Sequence, residues 1–156
     1  MSETDSAGIV VLPPVVFLFC LIAGIAASFA YGGWITGVPA PFRWAAGLFV
    51  IVAGLAFAIS GVDRFRKLKV DVRPDKPVAR MVGGGAYRVT RNPMYFGLVC
   101  LLTGLGLALG AIPLLASAVV MFAYLNWYVI PREEAYLTRT FGDDYRTYCT
   151  HVRRWF

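Results

Sequence analysis

Apolar residues along the chain fall into four long blocks that are separated by polar segments. The blocks cover residues 9–31, 42–62, 93–109 and 112–130. A helix needs about 20 predominantly apolar residues to cross the hydrocarbon core of a membrane, and each block reaches or approaches that length. The pattern therefore predicts four transmembrane helices. Pro13 and Pro14 suit the first turn of the first helix, where a missing amide donor costs no intrahelical hydrogen bond.

The polar segments divide the chain into consecutive parts of one membrane-embedded domain over residues 1–156. We expect two N-terminal spans (residues 1–62), a basic loop (63–91), a helical hairpin (92–131) and a polar C-terminal segment (132–156). The turn at Gly110 and Ala111 is so short that the third and fourth spans should be antiparallel neighbours. In the last segment, Phe141 followed by Gly142 predicts the end of one short helix and the start of another.

Composition supports the membrane class. Apolar residues make up 58% of the chain and charged residues only 15%, which is more apolar side chain than a soluble domain of 156 residues can bury in one core. We therefore expect an all-α integral membrane protein with about four transmembrane helices and short C-terminal helices. Because Glu3 and Asp5, rather than basic residues, precede the first block, we interpret that block as a retained span and not as a secretory signal.

Charge predicts the orientation. Nine Lys and Arg residues lie between the second and third blocks, five follow the fourth, and only Arg43, at the very start of the second block, lies beside the connection between the first and second. Since cations beside spans are retained on the cytoplasmic side, both termini and both polar segments should be cytoplasmic, in a bacterial-type inner membrane or a plasma membrane. The cations that set the orientation of the spans, and that anionic lipid headgroups attract, are sufficient to explain the net charge of +6. We therefore do not expect nucleic-acid binding.

Cysteine and histidine give no sign of a metal site. Cys20 and Cys100 lie within predicted spans, Cys149 lies in the polar tail, and His151 is the only histidine. This set has neither the spacing of metal ligands nor a disulfide framework. We expect no metal, and we expect His151 to be a surface residue.

A basic and aromatic segment, residues 85–97, leads into the third span. Asn92 followed by Pro93 predicts a helix start, in which the Asn side chain caps free backbone amides. Arg88 and Arg91 would then lie beside the positive end of the helix, where a carboxylate or phosphate group is favoured. Taken alone, the segment fits an interfacial anchor for lipid headgroups equally well.

A second polar cluster, Arg132-Glu133-Glu134, directly follows the fourth block. Two adjacent carboxylates at a membrane boundary are unfavourable in free energy unless they are solvated or paired with cations. The predicted hairpin would bring Glu133 to the same membrane face as Asn92. The alternative to a functional site is a solvated surface ion pair, in which one of these carboxylates meets Arg132 or Arg91 and contributes little energetically.

The two clusters together resemble a known family. The run Gly85 to Gly97, with Arg-Asn-Pro-x-Tyr at its centre, and the tail Glu-Glu-x-x-Leu-x-x-x-Phe-Gly-x-x-Tyr-x-x-Tyr resemble the isoprenylcysteine carboxyl methyltransferase-like family, whose layout the phospholipid N-methyltransferases share. The resemblance covers roughly residues 74–154. It implies methyl transfer from S-adenosylmethionine in a cytoplasm-facing pocket. The acceptor would be a lipid-like or amphiphilic small molecule, with membrane lipids as partners.

The resemblance also implies roles for particular residues. Contacts to the cofactor would come from Ala79, Arg80, Met81, Val82, Tyr87, Asn92, Pro93, Met94, Tyr95 and Glu133. Asn92 stands where the prenylcysteine enzymes usually have histidine. Val129 stands where they place an arginine that meets the substrate carboxylate, and Arg132 is the candidate substitute. Glu134 is the candidate base for an acceptor that must lose a proton.

A second class of function is also compatible with the pattern. A non-enzymatic membrane scaffold or anionic-lipid-binding protein would need the basic loop, which contacts headgroups. It would need no carboxylate opposite a helix start. The pairing of Glu133 with the Asn92 turn is therefore the feature that separates the two hypotheses.

Overall fold

The computed structural model describes residues 7–70 and 80–156, and the regular elements in these ranges are helical. They are α1 (Pro13–Tyr31), α2 (Ala40–Leu68), a 3-10 turn (Gly85–Arg88), α3 (Pro93–Leu109), α4 (Ile112–Tyr124), a π-turn (Leu125–Val129), α5 (Ile130–Phe141) and α6 (Asp143–His151). The only extended pairing among the described residues is an isolated bridge between Trp34 and Ala111. The predicted all-α class is confirmed.

Three helices are long and apolar enough to cross a membrane, namely α1, α2 and the continuous helix Ile112–Phe141. The fourth apolar helix, α3, has 17 residues. The first helix begins at Pro13 rather than residue 9. The second runs to Leu68, six residues beyond the predicted end at residue 62, because its charged last turns favour helix and place Arg66 and Lys67 at the negative end of the dipole.

The predicted boundary at residue 130 is wrong, because the helix continues through Pro131. The amide of Ile130 donates to the carbonyl of Leu125, five residues back, which widens one turn into the π-turn. Pro131 has no amide proton, so the carbonyl of Asn126 has no donor from the helix that follows. The wider turn accommodates Pro131 without ending the helix, so α5 continues directly from the apolar span.

Small residues let α2 and α3 approach closely. Gly47, Gly54 and Gly61 are the buried residues of α2. A methyl group built on Gly54 would overlap the Cβ of Cys100, and one built on Gly104 would lie 2.6 Å from a side-chain carbon of Ile51. The backbones therefore meet where larger side chains would separate them.

The hairpin of α3 and α4 forms the centre of the bundle, with α2 packed on α3 and α1 packed on α4. Gly110 closes α3 in the left-handed conformation, with φ of 69°, and α4 starts two residues later. The buried core runs along the hairpin and into α5. Its fully buried aliphatic residues are Leu102, Leu114, Met121, Leu125, Val129 and Ile130.

Substitution of Gly54 tests the close packing of α2 on α3. Gly54→Ala should destabilise the bundle by about 1–3 kcal/mol, because the added methyl group overlaps Cys100 in a packed interface. Ala56→Val adds bulk on the exposed side of α2 and serves as the control. The measurement is the melting temperature in detergent. Equal melting temperatures for the two variants would contradict the close approach.

Cysteine labelling tests the predicted orientation. In a Cys149→Ser background, Lys67→Cys at the end of α2 and Val38→Cys in the connection before α2 place exposed thiols at opposite ends of the bundle. An impermeant thiol reagent applied to intact cells should label Val38→Cys and should label Lys67→Cys only after lysis. The opposite pattern would reverse the topology.

Candidate functional site

Four segments meet at the end of the bundle where α3 begins. They are the 3-10 turn that carries Tyr87, the start of α3, the first turns of α5, and residues 152–156, which we call the C-terminal strap. The hairpin brings the start of α3 and α5 together. The strap and the 3-10 turn are held there by hydrogen bonds described below.

Tyr95 and Glu133 form the first link between the two sequence clusters. The hydroxyl of Tyr95, in the first turn of α3, donates to Oε1 of Glu133 in α5. Tyr87 is 7% exposed and packs against Phe65 with ring centroids 6.0 Å apart. Burial, and then the negative charge of Glu133, raise the pKa of Tyr87, so its phenol stays protonated at neutral pH. The expected convergence of the two clusters is confirmed.

Glu134 lies between two guanidinium groups. Its Oε1 is 3.2 Å from Nη2 of Arg91, and it also accepts a hydrogen bond from Nε of Arg154 at 3.2 Å. Its Oε2 accepts from Nη2 of Arg154. The side chain of Glu134 is 20% exposed, so this is a partly buried three-member ion cluster rather than a solvated surface pair.

Asn92 does not cap α3 with its side chain, which corrects the sequence-based expectation. Its Nδ2 instead donates to the carbonyl of Arg154 at 2.9 Å. The hydroxyl of Thr90 donates to the same carbonyl at 2.9 Å and accepts the amide of Asn92 at 3.2 Å. Pro93 is the first residue of α3, as predicted. The amide group of Asn92 therefore fastens the C-terminal strap to the helix start.

Helix α6 closes over the 3-10 turn. The hydroxyl of Tyr148 donates to the carbonyl of Tyr87 at 2.7 Å, and Tyr145 on the same helix is buried. Burial raises the pKa of Tyr148 to about 12, so the hydroxyl remains a donor. Arg91 reaches the same helix, because its Nη1 donates to the sulfur of Cys149. The face of α6 that carries Tyr145 and Tyr148 thus lies against the site.

Several other predicted contacts lie apart from this cluster. Ala79 lies outside the described residues, Arg80 is exposed, and Met81 and Val82 are half-buried. Met94 faces α2, because a methyl group built on Gly61 would lie 3.0 Å from its Cγ. Within the described part of the chain, no hydrogen bond or ion pair joins Arg80, Met81, Val82 or Met94 to Glu133.

Arg132 points away from the carboxylates. It is exposed, its guanidinium lies 3.8 Å from the centroid of the Tyr128 ring, and its Nη1 donates to the carbonyl of Tyr128 at 3.1 Å. The cations that match Glu134 are Arg91 and Arg154 instead. His151 is exposed, as predicted.

Sequence reasoning missed Arg154 and Asn126. A polar Asn within an apolar span, five residues before a proline, was the signal that could have marked the π-turn. Arg154 carried no local signal, because its partner Glu134 lies 20 residues away in the sequence.

The arrangement offers a half-buried carboxylate, Glu133, as its distinctive chemical group. Among the described residues, the hydrogen-bond donor to Glu133 is the phenol of Tyr95, and the charge of Glu133 also raises the pKa of the buried Tyr87 phenol. A carboxylate in such surroundings is a favourable place for a cationic ligand group. Within residues 7–70 and 80–156, no three His, Cys, Asp or Glu side chains gather as metal ligands would.

Comparison with known proteins gives two similarities. The model of the phospholipid methyltransferase family matches residues 42–144, which includes most of α2, both sequence clusters and the start of α6. An uncharacterized protein of Haemophilus influenzae is 39% identical over 62 residues, which is 40% of this chain and 98% of the relative.

Removal of the Glu134 carboxylate tests the ion cluster. Glu134→Ala leaves two guanidinium groups without their shared partner and should cost about 1–3 kcal/mol of stability. Asp143→Ala is the control, because its pair with Arg146 is largely exposed and should contribute little. Thermal unfolding in detergent compares the two. If Glu134→Ala melted no lower than Asp143→Ala, the cluster would have no structural role.

Proposed function

The chain belongs to the phospholipid methyltransferase family, and we propose that it transfers a methyl group from S-adenosylmethionine to a lipid-like or membrane-partitioned acceptor. Members of this family are membrane methyltransferases that act on lipid-like substrates. The observation that supports this proposal most directly is the position of the Glu133 side chain. Its carboxylate is held by Tyr95 at the point where the two motif clusters converge. A scaffold that binds anionic headgroups has no use for a carboxylate in that position.

The residues present suit the donor in charge. When bound, the donor supplies an electrophilic methyl carbon attached to a positively charged sulfur. In our proposal Glu133 attracts the positive charge of the donor, and Tyr95, with the Asn92-Pro93 turn before it, lines the site. Tyr87 contributes a protonated, buried phenol.

Transfer to an anionic nucleophile neutralises charge. The bond between sulfur and the methyl carbon breaks with its electron pair going to sulfur, while the nucleophile's electron pair forms the new bond to carbon. A site shielded from water favours the transition state of such a step over the separated ions. The task of the protein is to align the reacting atoms and exclude water, which packed aromatic residues at a membrane boundary can do.

The geometry does not favour Glu134 as a general base. Both of its oxygens accept hydrogen bonds from guanidinium groups, whereas a base needs a free oxygen within reach of the acceptor's proton. An acceptor that reacts as an anion needs no base. We assign Glu134 to holding α5 in place, and we assign the exposed Arg132 to contact an anionic group of the acceptor at the membrane surface.

Ligand-induced stabilisation tests the proposal. S-adenosylmethionine and S-adenosylhomocysteine should raise the melting temperature of the detergent-solubilised chain, since a ligand at about 100 times its Kd stabilises the folded state by about 2.7 kcal/mol. Glu133→Gln keeps the shape of the side chain but removes its charge, so the shift should be lost. Asp143→Asn, on the exposed side of α6, should retain it.

Two results would count against a methyltransferase. The first is no shift in the wild-type chain at millimolar ligand, which would favour the scaffold hypothesis. The second is an equal shift in Glu133→Gln, which would place the donor somewhere other than the Glu133 site.

A further inference from the structure

Arg154 joins three separate parts of the molecule. Its carbonyl accepts the hydroxyl of Thr90 and the side-chain amide of Asn92, both at 2.9 Å, at the start of α3. Its guanidinium donates to both oxygens of Glu134 in α5. The same guanidinium reaches the carbonyl of Asn126 at 3.5 Å. One residue of the strap thus links both helices of the hairpin.

The carbonyl of Asn126 is available because of the π-turn. In an α-helix it would accept the amide of Ile130, but that amide donates to Leu125 instead. The next candidate is Pro131, which has no amide proton. An unpaired carbonyl in a membrane-facing helix is costly, so the Arg154 guanidinium supplies the donor that the backbone lacks.

The last two strap residues are anchored on either side of α3. Nε1 of Trp155 donates to Oδ1 of Asn126 at 3.0 Å, and its ring packs on Phe122 of α4 at 5.1 Å. The ring of Phe156 packs on Phe96 of α3 at 4.8 Å and on Phe57 of α2 at 5.8 Å. The strap therefore crosses the start of α3 and is fixed to α4 on one side and α2 on the other.

This geometry bears directly on Glu133. Adjacent residues of a helix point about 100° apart, so the direction of Glu134 determines the direction of Glu133. Arg91 and Arg154 hold Glu134 toward the loop and the strap. With Glu134 held in this direction by its two ion pairs, the side chain of Glu133 faces Tyr95.

We propose that Arg154 is a positioning residue for donor binding, which closes the C-terminal strap over the start of α3 and keeps Glu133 aimed at the Tyr95 site. The inference rests on the proposed function and adds to it the element that controls access to the site. Arg154 does not touch the donor. It raises the fraction of molecules in which the strap is closed and the site is formed.

A positioning role has a definite thermodynamic signature. If only a fraction of molecules is competent to bind, the apparent Kd equals the intrinsic Kd divided by that fraction. Loss of Arg154 should therefore weaken donor binding while every folded molecule still binds at saturation. A purely structural role would instead reduce the number of folded, binding molecules and leave their Kd unchanged.

Calorimetric titration of the whole chain in detergent with S-adenosylhomocysteine tests this. Arg154→Gln should raise Kd by about tenfold or more, because it removes charged hydrogen bonds to Glu134. Arg154→Lys should recover part of the affinity, since an ammonium keeps the charge but cannot reproduce the planar fork. In both variants the number of sites per chain should equal that of the wild type.

Arg153→Gln is the matched control. Its guanidinium is exposed, and its described contact is with the carbonyl of Phe156 at 3.4 Å, so Kd should stay within about twofold of the wild-type value. The backbone bond from Arg91 to the Arg153 carbonyl, 3.0 Å long, does not depend on that side chain.

The outcomes separate the two proposals. Binding by the wild type with an unchanged Kd in Arg154→Gln, or fewer sites at unchanged Kd, would overturn the positioning role and leave the methyltransferase proposal standing. If Arg154→Gln does not fold, Arg154→Lys decides by the same criterion. No binding by the wild type would overturn the proposed function, and the positioning role with it.

Discussion

Two adjacent carboxylates at the boundary of an apolar bundle impose the constraint on which the site depends. A charged group leaves water only if a partner compensates it, and Glu133 and Glu134 are compensated in different ways. Glu134 is matched by Arg91 from the loop and by Arg154 from the strap. Glu133 has the hydroxyl of Tyr95. The carboxylate of Glu134 organises the structure, whereas Glu133 has no cationic partner among the described residues.

The backbone places these groups by two departures from regular helix packing. Glycines in α2 let α3 approach closely, and the polar end of α2 then holds the loop, with Nε of Arg64 donating to the carbonyl of Gly83 at 2.9 Å. The π-turn carries the fourth span past Pro131 and frees the carbonyl of Asn126 for Arg154. The glycines meet a packing requirement and the π-turn meets a backbone hydrogen-bonding requirement. The positions of the site residues follow from these two features.

The sequence predicted what local patterns determine. Apolar block length predicted the four helices, and the short turn after α3 predicted that Glu133 would lie near the start of that helix. The role of Asn92 was predicted wrongly, because a carbonyl 62 residues away competes for its amide group. Arg154 was missed for a related reason, because its partners are set by tertiary contacts that leave no periodic trace in the chain. The π-turn was missed although it had a local signal, Asn126 five residues before Pro131.

The central claim is that the Glu133 site holds a methyl donor beside a lipid-like acceptor. The most direct measurement is the transfer of tritium from methyl-labelled S-adenosylmethionine by the purified chain, reconstituted with a membrane lipid extract, into material that partitions into organic solvent. We predict label in the organic phase for the wild type and background counts for Glu133→Gln. Wild-type counts that remained at background, or equal transfer by Glu133→Gln, would contradict the claim.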